Sequence, residues 1–314
     1  MILLVDGLNS FFRYYCANPT MTQNGDPAGG VAGFLGMLAK LSEQFSPSEI
    51  HVVWEGGGSL RRRAIFPGYK KGKKPQKMNR YYDDEIPDSD QNRLSQVAFL
   101  TKCLRQLPIR QHYIKDCEAD DVIGYLARYK FKDSQVMIVS SDRDFYQLID
   151  DRVRVWSPGQ KKVIEKSDVL EKMHSLPSNM PTARACVGDS SDSIDGVKGV
   201  GLKSLSNRIE ILRSVENVSL DDLFRECQLK ASTSKARIYA NILENEDLIR
   251  RNFRLMHLDV SNLAGDQIQK IEGSLEIYEK NYNKIGFLSC LKKFGLVNYD
   301  PSRLFLSMNI LNRR

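Results

Sequence analysis

Along the first half of the chain, short apolar runs alternate with helical patterns, and an acid follows most of the runs within a few residues. The runs lie at 2–5, 50–54, 109–113, 136–140 and 153–156. Helical patterns fall at about 30–45, 92–107, 119–129 and 145–149. This alternation favours an α/β fold with a mostly parallel central sheet flanked by helices. Such a sheet gathers functional residues at the carboxyl ends of its strands. Asp6, Glu55, Glu118 and Asp142 each follow one of the runs closely, so the fold can bring them to one edge.

Two stretches break the rhythm. Residues 56–90 open on glycines, become strongly basic, and end in acids. From Arg61 to Arg80 there are nine Lys or Arg and no Asp or Glu. The segment has little apolar periodicity and is long for a connection, which marks it as functional or mobile. From about residue 181 strands give way to helices, with candidates at 203–212, 220–227, 234–250 and 275–284.

Composition narrows the class. The 314 residues carry a formal net charge of +7, and acid clusters within a basic protein suit a polyanionic substrate. The six cysteines are scattered with no CxxC, and so read as reduced thiols of a cytoplasmic protein. The four histidines are isolated in the sequence and read as core or surface residues. The N-terminus lacks the pattern of a signal peptide, and no apolar run approaches the roughly 18 residues that a membrane span needs. No membrane association is expected.

Three acidic clusters carry the chemistry: Glu118-Ala119-Asp120-Asp121, Ser140-Ser141-Asp142-Arg143-Asp144 and Gly188-Asp189-Ser190-Ser191-Asp192. Singly, each could be a helix cap or a first turn that complements the helix dipole. Together with Asp6 they are too many for capping. Crowded carboxylates raise one another's pKa unless cations hold them, and hard oxygen donors select Mg²⁺ or Mn²⁺ over zinc. A two-metal site of this kind acts on phosphodiesters. A glycine turn, Gly196-Val197-Lys198-Gly199-Val200-Gly201, precedes Leu202-Lys203. It allows a tight turn between helices and exposes backbone N–H groups to a phosphate. Lys198 and Lys203 add charge without demanding a particular base.

The run from Gly188 to Lys203 resembles the signature of the 5′-nuclease (flap endonuclease) superfamily. That signature is a GDxxDN core followed by a helix–three-turn–helix of GVxGIGxKT type. The likeness continues at Asp6-Gly7, Gly29-Gly30-Val31-Ala32-Gly33, Trp54-Glu55-Gly56, Tyr69-Lys70, Glu118 to Asp121 and Ser140 to Phe145. In length the chain is similar to free-standing bacteriophage members, the phage RNase H and 5′ exonuclease type, with no polymerase domain expected to follow.

The resemblance implies roles. Asp6, Glu118 and Asp120 would hold a first metal ion with Asp121 in or near its shell, and Asp142, Asp144, Asp189 and Asp192 a second. Glu55 stands where the family has Asp, Ser193 where it often has Asn, and Asp195 where it often has Pro. Lys70 matches an active-site lysine. Phe66, Tyr69 and Lys73 would enter a helical arch around a 5′ single strand, the aromatics stacking on bases; Lys73 replaces a common Arg. Lys198, Gly199, Gly201 and Lys203 would grip duplex DNA. The implied domains are a PIN-like nuclease core at 1–180, including a mobile basic arch at about 56–95, and a helical lobe at 181–314. That lobe would hold the helix–three-turn–helix at about 188–213 and the C-terminal helices.

The implied activity is a structure-specific 5′-3′ exonuclease or flap endonuclease, removing RNA primers and flaps in replication and repair. Expected cofactors are two Mg²⁺ ions, replaceable by Mn²⁺, and a K⁺ ion at the helix–three-turn–helix. Expected partners are 5′-flap, nicked or RNA-primed duplex DNA, with a sliding clamp or single-strand-binding protein as further candidates. The chain is expected to be a monomer in the cytoplasm, that of the host if phage-encoded. Two rivals are a non-catalytic binder of branched DNA, and a PIN-like ribonuclease that would not need the glycine turn.

Overall fold

The computed structural model describes residues 1–71 and 90–313. Its strands are β1 (Ile2–Asp6), β2 (Glu49–Trp54), β3 (Arg110–Tyr113), β4 (Val136–Val139), β5 (Val153–Ser157) and β6 (Lys162–Ile164), with a short ribbon of β7 (Gly188–Asp189) and β8 (Ile194–Asp195). The earlier helices are α1 (Gly7–Tyr15), α2 (Gly29–Phe45), α3 (Leu60–Ile65), α4 (Asp90–Leu104), α5 (Ala119–Tyr125), α6 (Lys166–Met173) and α7 (Met180–Val187). The later ones are α8 (Leu202–Arg208), α9 (Ile211–Ser214), α10 (Leu220–Thr233), α11 (Arg237–Leu243), α12 (Glu246–Met256), α13 (Gly265–Glu276), α14 (Lys284–Phe294) and α15 (Ser302–Arg313). No helix among the described residues is long and apolar enough to cross a membrane.

The main sheet runs β3-β2-β1-β4-β5-β6. β1 lies between β2 and β4 and pairs in parallel with both, so that Leu3 faces Ile50 on one side and Met137 on the other. Within this sheet, among the described residues, only β6 is antiparallel. The chain winds outward through β2 and β3, then returns past β1 to β4, leaving a crevice at the carboxyl ends of β1 and β4. Asp6 closes β1, and Ser140 and Asp142 follow β4.

Residues of the central strands alternate between two cores, as the two-residue period of a strand requires. Leu3, Val5, Ile50, Val52, Met137 and Val139 pack with Phe11, Phe34 and Leu100. On the other face Ile2, Leu4, Val53, Val136, Ile138 and Val155 pack with Ile123, Phe145, Val169 and Ile271. A third core joins α7 to α12 through Cys186, Leu205, Phe224, Ile242 and Ile249.

The C-terminal helices depart from the helical lobe expected at 181–314. Phe287, Leu291, Leu304 and Met308 are buried in the first core, against α2 and α4. The expected helix at 203–212 breaks at Ile209, whose ψ of 79° is not helical. That at 234–250 divides around Asn245 into α11 and α12. The one at 275–284 is wrong: α13 ends at Glu276, and α14 begins only at Lys284. α1, absent from the helices expected above, follows β1 directly, and Asp6 caps it by accepting the Asn9 N–H at 3.2 Å.

Two histidines that look isolated in the sequence meet on adjacent strands. His51 Nδ1 lies 2.9 Å from His112 Nε2, and both rings are buried. Burial pulls both down to about pKa 3, against about 6.5 in an unfolded chain. The native state therefore refuses protons that the unfolded state accepts, and stability is lost as pH falls below about 6.5. Between pH 7.5 and 5.5 the wild type should lose about 2–3 kcal/mol more than a His51→Gln/His112→Asn variant, read by urea denaturation. Equal pH slopes would show that the pair does not contribute.

Candidate active site

The switch-point crevice collects carboxylates from four parts of the chain. Asp6 is fixed from both sides: Oδ1 accepts from the Asn9 N–H, and Oδ2 accepts from Ser140 Oγ at 3.0 Å. Ser140 Oγ in turn accepts the Asp142 N–H at 3.1 Å, which ties the end of β1 to the turn after β4. Asp142 caps the following 3₁₀ helix by accepting the Asp144 N–H at 2.9 Å. Arg184 of α7 bridges Asp144 to Asp189, and Asp189 also accepts from the Ser191 N–H at 2.8 Å.

Glu118 precedes α5 and is buried under three donors on one oxygen, Oε2: Arg62 Nη1 at 3.0 Å, Tyr69 Oη at 2.9 Å and Lys70 Nζ at 2.8 Å. Lys70 and Tyr69 also reach toward Asp192, at 3.7 and 3.5 Å respectively. The Lys70 N–H donates to the Asp192 carbonyl at 2.9 Å. Lys70 adopts left-handed backbone, φ 52°, a conformation uncommon for a long side chain. That turn aims its ammonium into the gap between Glu118 and Asp192.

The electrostatics show an excess of negative charge. Burial, then the charges of Asp142 and Glu55, push Asp6 up to about 7. Asp144 likewise rises to about 7, because burial and the neighbouring aspartates outweigh Arg184. Burial also acts to raise Glu118, but Arg62 and Lys70 overcome it and hold that carboxyl below its usual range. The donor set is hard oxygen. The nearby Cys117 is pushed up to about 12 by burial and the adjacent carboxylates, so it stays a thiol. These groups fit a hard divalent cation. No three metal-ligating side chains among the described residues are already drawn into a cage; Arg62, Lys70 and Arg184 hold the carboxylates instead.

Several expected residues stand elsewhere. Asp121 is buried, and its carboxylate takes a bidentate fork from Arg62, 2.7 Å on each arm, together with Asn262 Nδ2 at 2.8 Å. It supports Arg62 and does not face the crevice. Glu55 is likewise engaged by backbone, accepting from the Gly58 N–H at 2.9 Å and the Ala119 N–H at 3.3 Å. Tyr69 is buried beside Ile194, Leu255 and Met256, so its ring is not presented for stacking on a base. Phe66 is half-buried and carries the Arg251 guanidinium 4.3 Å above its ring. Residues 60–71, expected to begin a mobile arch, are packed against α12, and Arg62 is a buried structural cation. Lys73 lies outside the described residues.

In the glycine turn Gly199 has φ 78°, where a side chain would be strained. Lys198 and Lys203 are exposed. The N–H groups of Val200 and Gly201 are already taken, by the Val197 carbonyl and Ser204 Oγ, which narrows the donors this turn can offer a phosphate.

Sequence reasoning missed Arg62 and Arg184. Arg62 hides within a run of three arginines; only its place three residues after the N-cap Ser59 puts it on the inner face of α3. Removing Arg62 leaves Asp121 buried without its counter-charge and Glu118 with Lys70 alone. Arg62→Met should therefore cost roughly 3–5 kcal/mol of stability, measured by chemical denaturation. A loss below about 1 kcal/mol would contradict this account of the buried pair.

Known proteins share the chain's sequence pattern and fold. Residues 1–174 match the family model described as 5′-3′ exonuclease, N-terminal resolvase-like domain. The chain is 31% identical over 219 residues to the 5′-3′ exonuclease of Aquifex aeolicus (strain VF5), covering 69% of this chain and 71% of that protein. It is 30% identical over 304 residues to the DNA polymerase I of Caldicellulosiruptor bescii, covering 94% of this chain but 33% of that protein. Its fold is similar to that of the bacteriophage T5 D15 flap endonuclease solved with DNA and metal ions. There the TM-score is 0.68 with 21% identity, over 88% of this chain and 98% of that one. With carboxylates gathered at the sheet edge and a family match over more than half its length, the chain belongs to the 5′-3′ exonuclease family.

Proposed function

We propose that the protein is a divalent-metal-dependent, structure-specific 5′ nuclease that cuts near the 5′ ends of flapped, nicked or RNA-primed duplex DNA. One observation carries the reading: Lys70 lies between Glu118 and Asp192, joining carboxylates from two separate segments of the chain beside the carboxyl edge of the sheet.

Asp6, Glu118 and Asp120 would hold one Mg²⁺, and Asp142, Asp144, Asp189 and Asp192 the other. When bound, the ions supply Lewis acidity toward the phosphate and a reactive water at neutral pH. The chain's own groups do the placing. Ser140 locks Asp6 to the turn bearing Asp142, and Arg184 keeps Asp144 beside Asp189. Lys70 stays charged, since Glu118 and its neighbours outweigh the desolvation that opposes its charge. At the rim of the crevice, with a third of its side chain exposed, it can leave Glu118 and neutralise the phosphate being cleaved. Asp121 and Glu55 act behind this layer, through Arg62 and the N-terminus of α5.

Lys198, Lys203 and the turn at Gly199 are proposed to grip the duplex beyond the cut, with a K⁺ ion as a further candidate there and a sliding clamp or single-strand-binding protein as candidate partners. A monomer in the cytoplasm suits this work, and the six free cysteines, four of them buried, fit a reducing compartment. The test is release of product from a 5′-labelled flap substrate with Mg²⁺ and with EDTA. Product only with Mg²⁺, cut near the junction, is expected; equal release in both, or none with either Mg²⁺ or Mn²⁺, would overturn the reading.

A further inference from the structure

We infer that residues 252–262, at the end of α12 and just beyond it, set the spacing of all three carboxylate clusters, with Asn252 and Gln147 as positioning residues. The inference rests on the reading of those carboxylates as metal ligands. Residues 118–121, 142–144 and 189–192 come from distant parts of the chain, so something must hold them in register.

Each cluster is tied to the same segment. Asn252 is fully buried, and its Nδ2 donates to the Ala185 carbonyl at 3.0 Å and the Asp195 carbonyl at 2.8 Å. Those two carbonyls bracket the loop that carries Asp189 and Asp192. The next anchor is the Leu255 carbonyl, which accepts from Arg62 Nε at 2.8 Å, while the head of Arg62 holds Glu118 and Asp121. Gln147 makes the third tie. Its Nε2 donates both to the Asp144 carbonyl at 2.9 Å and to the Met256 carbonyl at 3.1 Å, and its Oε1 accepts the Leu258 N–H at 2.9 Å. Asn262 closes the arrangement, donating to Asp121 Oδ1 at 2.8 Å and to the His257 carbonyl at 2.7 Å.

All but one of these bonds are side chain to backbone, and most join buried groups, so those are costly to break and allow little play. The same helix packs on α7, which carries Arg184, and on α3, which carries Arg62. A strut bonded to every cluster fixes the distances between carboxylates without supplying one. Partners behind a ligand commonly change metal affinity 10–100-fold.

Two substitutions test this. Asn252→Asp keeps the volume but faces the Ala185 and Asp195 carbonyls with acceptors; Gln147→Met keeps the length but removes all three bonds. Mn²⁺ binding is measured by calorimetry on the DNA-free protein, with near-UV circular dichroism for folding and metal-free flap-DNA affinity as a control. Both variants should stay folded and keep DNA affinity, while Mn²⁺ affinity falls at least about tenfold and Mg²⁺-dependent cleavage falls with it. Should Asn252→Asp not fold, Asn252→Ser carries the same test without adding charge. Folded variants with wild-type Mn²⁺ affinity would overturn the inference alone. So would a loss of DNA affinity as large as the loss of Mn²⁺ affinity, because the segment would then serve duplex holding. A wild type that binds no Mn²⁺ would remove the metal reading itself, and this inference with it.

Discussion

Asn in place of Asp144 or Asp192 is expected to stop cleavage while leaving DNA bound. The substitution keeps shape and one acceptor oxygen but removes the charge that a divalent cation needs. The loss should be on the order of 10³-fold or more, the scale on which one electrostatic stabiliser acts in a water-poor site. Binding should survive, since the exposed lysines of the duplex-facing turn are untouched. Asp144 carries a second expectation. With a pKa near 7, it and Asp6 must lose protons before they can ligate, so protons and metal compete. The Mg²⁺ concentration for half-maximal cleavage should fall as pH rises from 6 to 8 in the wild type. Single-turnover assays on a labelled flap, with affinity measured separately in Ca²⁺, check both points. Substantial turnover in both Asn variants would remove these residues from the site.

Lys70→Ala should slow cleavage by roughly 10²–10³-fold and leave affinity for duplex DNA nearly unchanged. The ammonium bridges Glu118 and Asp192, so its removal also leaves those carboxylates less neutralised. For that reason metal affinity should hold or rise while the rate falls. A variant that instead lost duplex binding in proportion to rate would make Lys70 a DNA contact of the loop, with no part at the scissile phosphate. Lys70→Arg separates charge from geometry: it restores the charge but not the compact head that fits between two carboxylates.

Much of the site was legible before the fold was known, because its residue types are chemically unusual. Carboxylates clustered at Asp6, 118–121, 142–144 and 189–192 are too many for helix capping, and the strand–helix alternation places Asp6, Glu118 and Asp142 toward one edge. Tyr69 misled for a physical reason: an aromatic within a basic stretch reads as a stacking platform, yet a phenol can bury its ring and still satisfy its hydroxyl, here on Glu118. Arg62 went unmarked because a charge in a basic run reads as surface; Asp121, Glu118 and the Leu255 carbonyl, which no local pattern pairs with it, take it inside.

What the sequence by itself determined is local or periodic: the strands β1 to β5, the parallel sheet that their spacing demands, the acids at its carboxyl edge, and the glycine turn. The tertiary structure alone decided which acids face the crevice and which face inward. Asp120 and Asp121 are neighbours of one type, yet a helix turn of about 100° per residue gives Asp121 the bidentate fork of Arg62 at 2.7 Å and leaves Asp120 3.5 Å from the same guanidinium. It also decided that α14 packs on α4 and α15 on α2, and that the segment from Asn252 onward is bonded to each cluster. Those outcomes depend on contacts between residues from 57 to 193 positions apart and beyond, made largely by ordinary asparagine, glutamine and backbone groups whose local sequence carries no mark of the role.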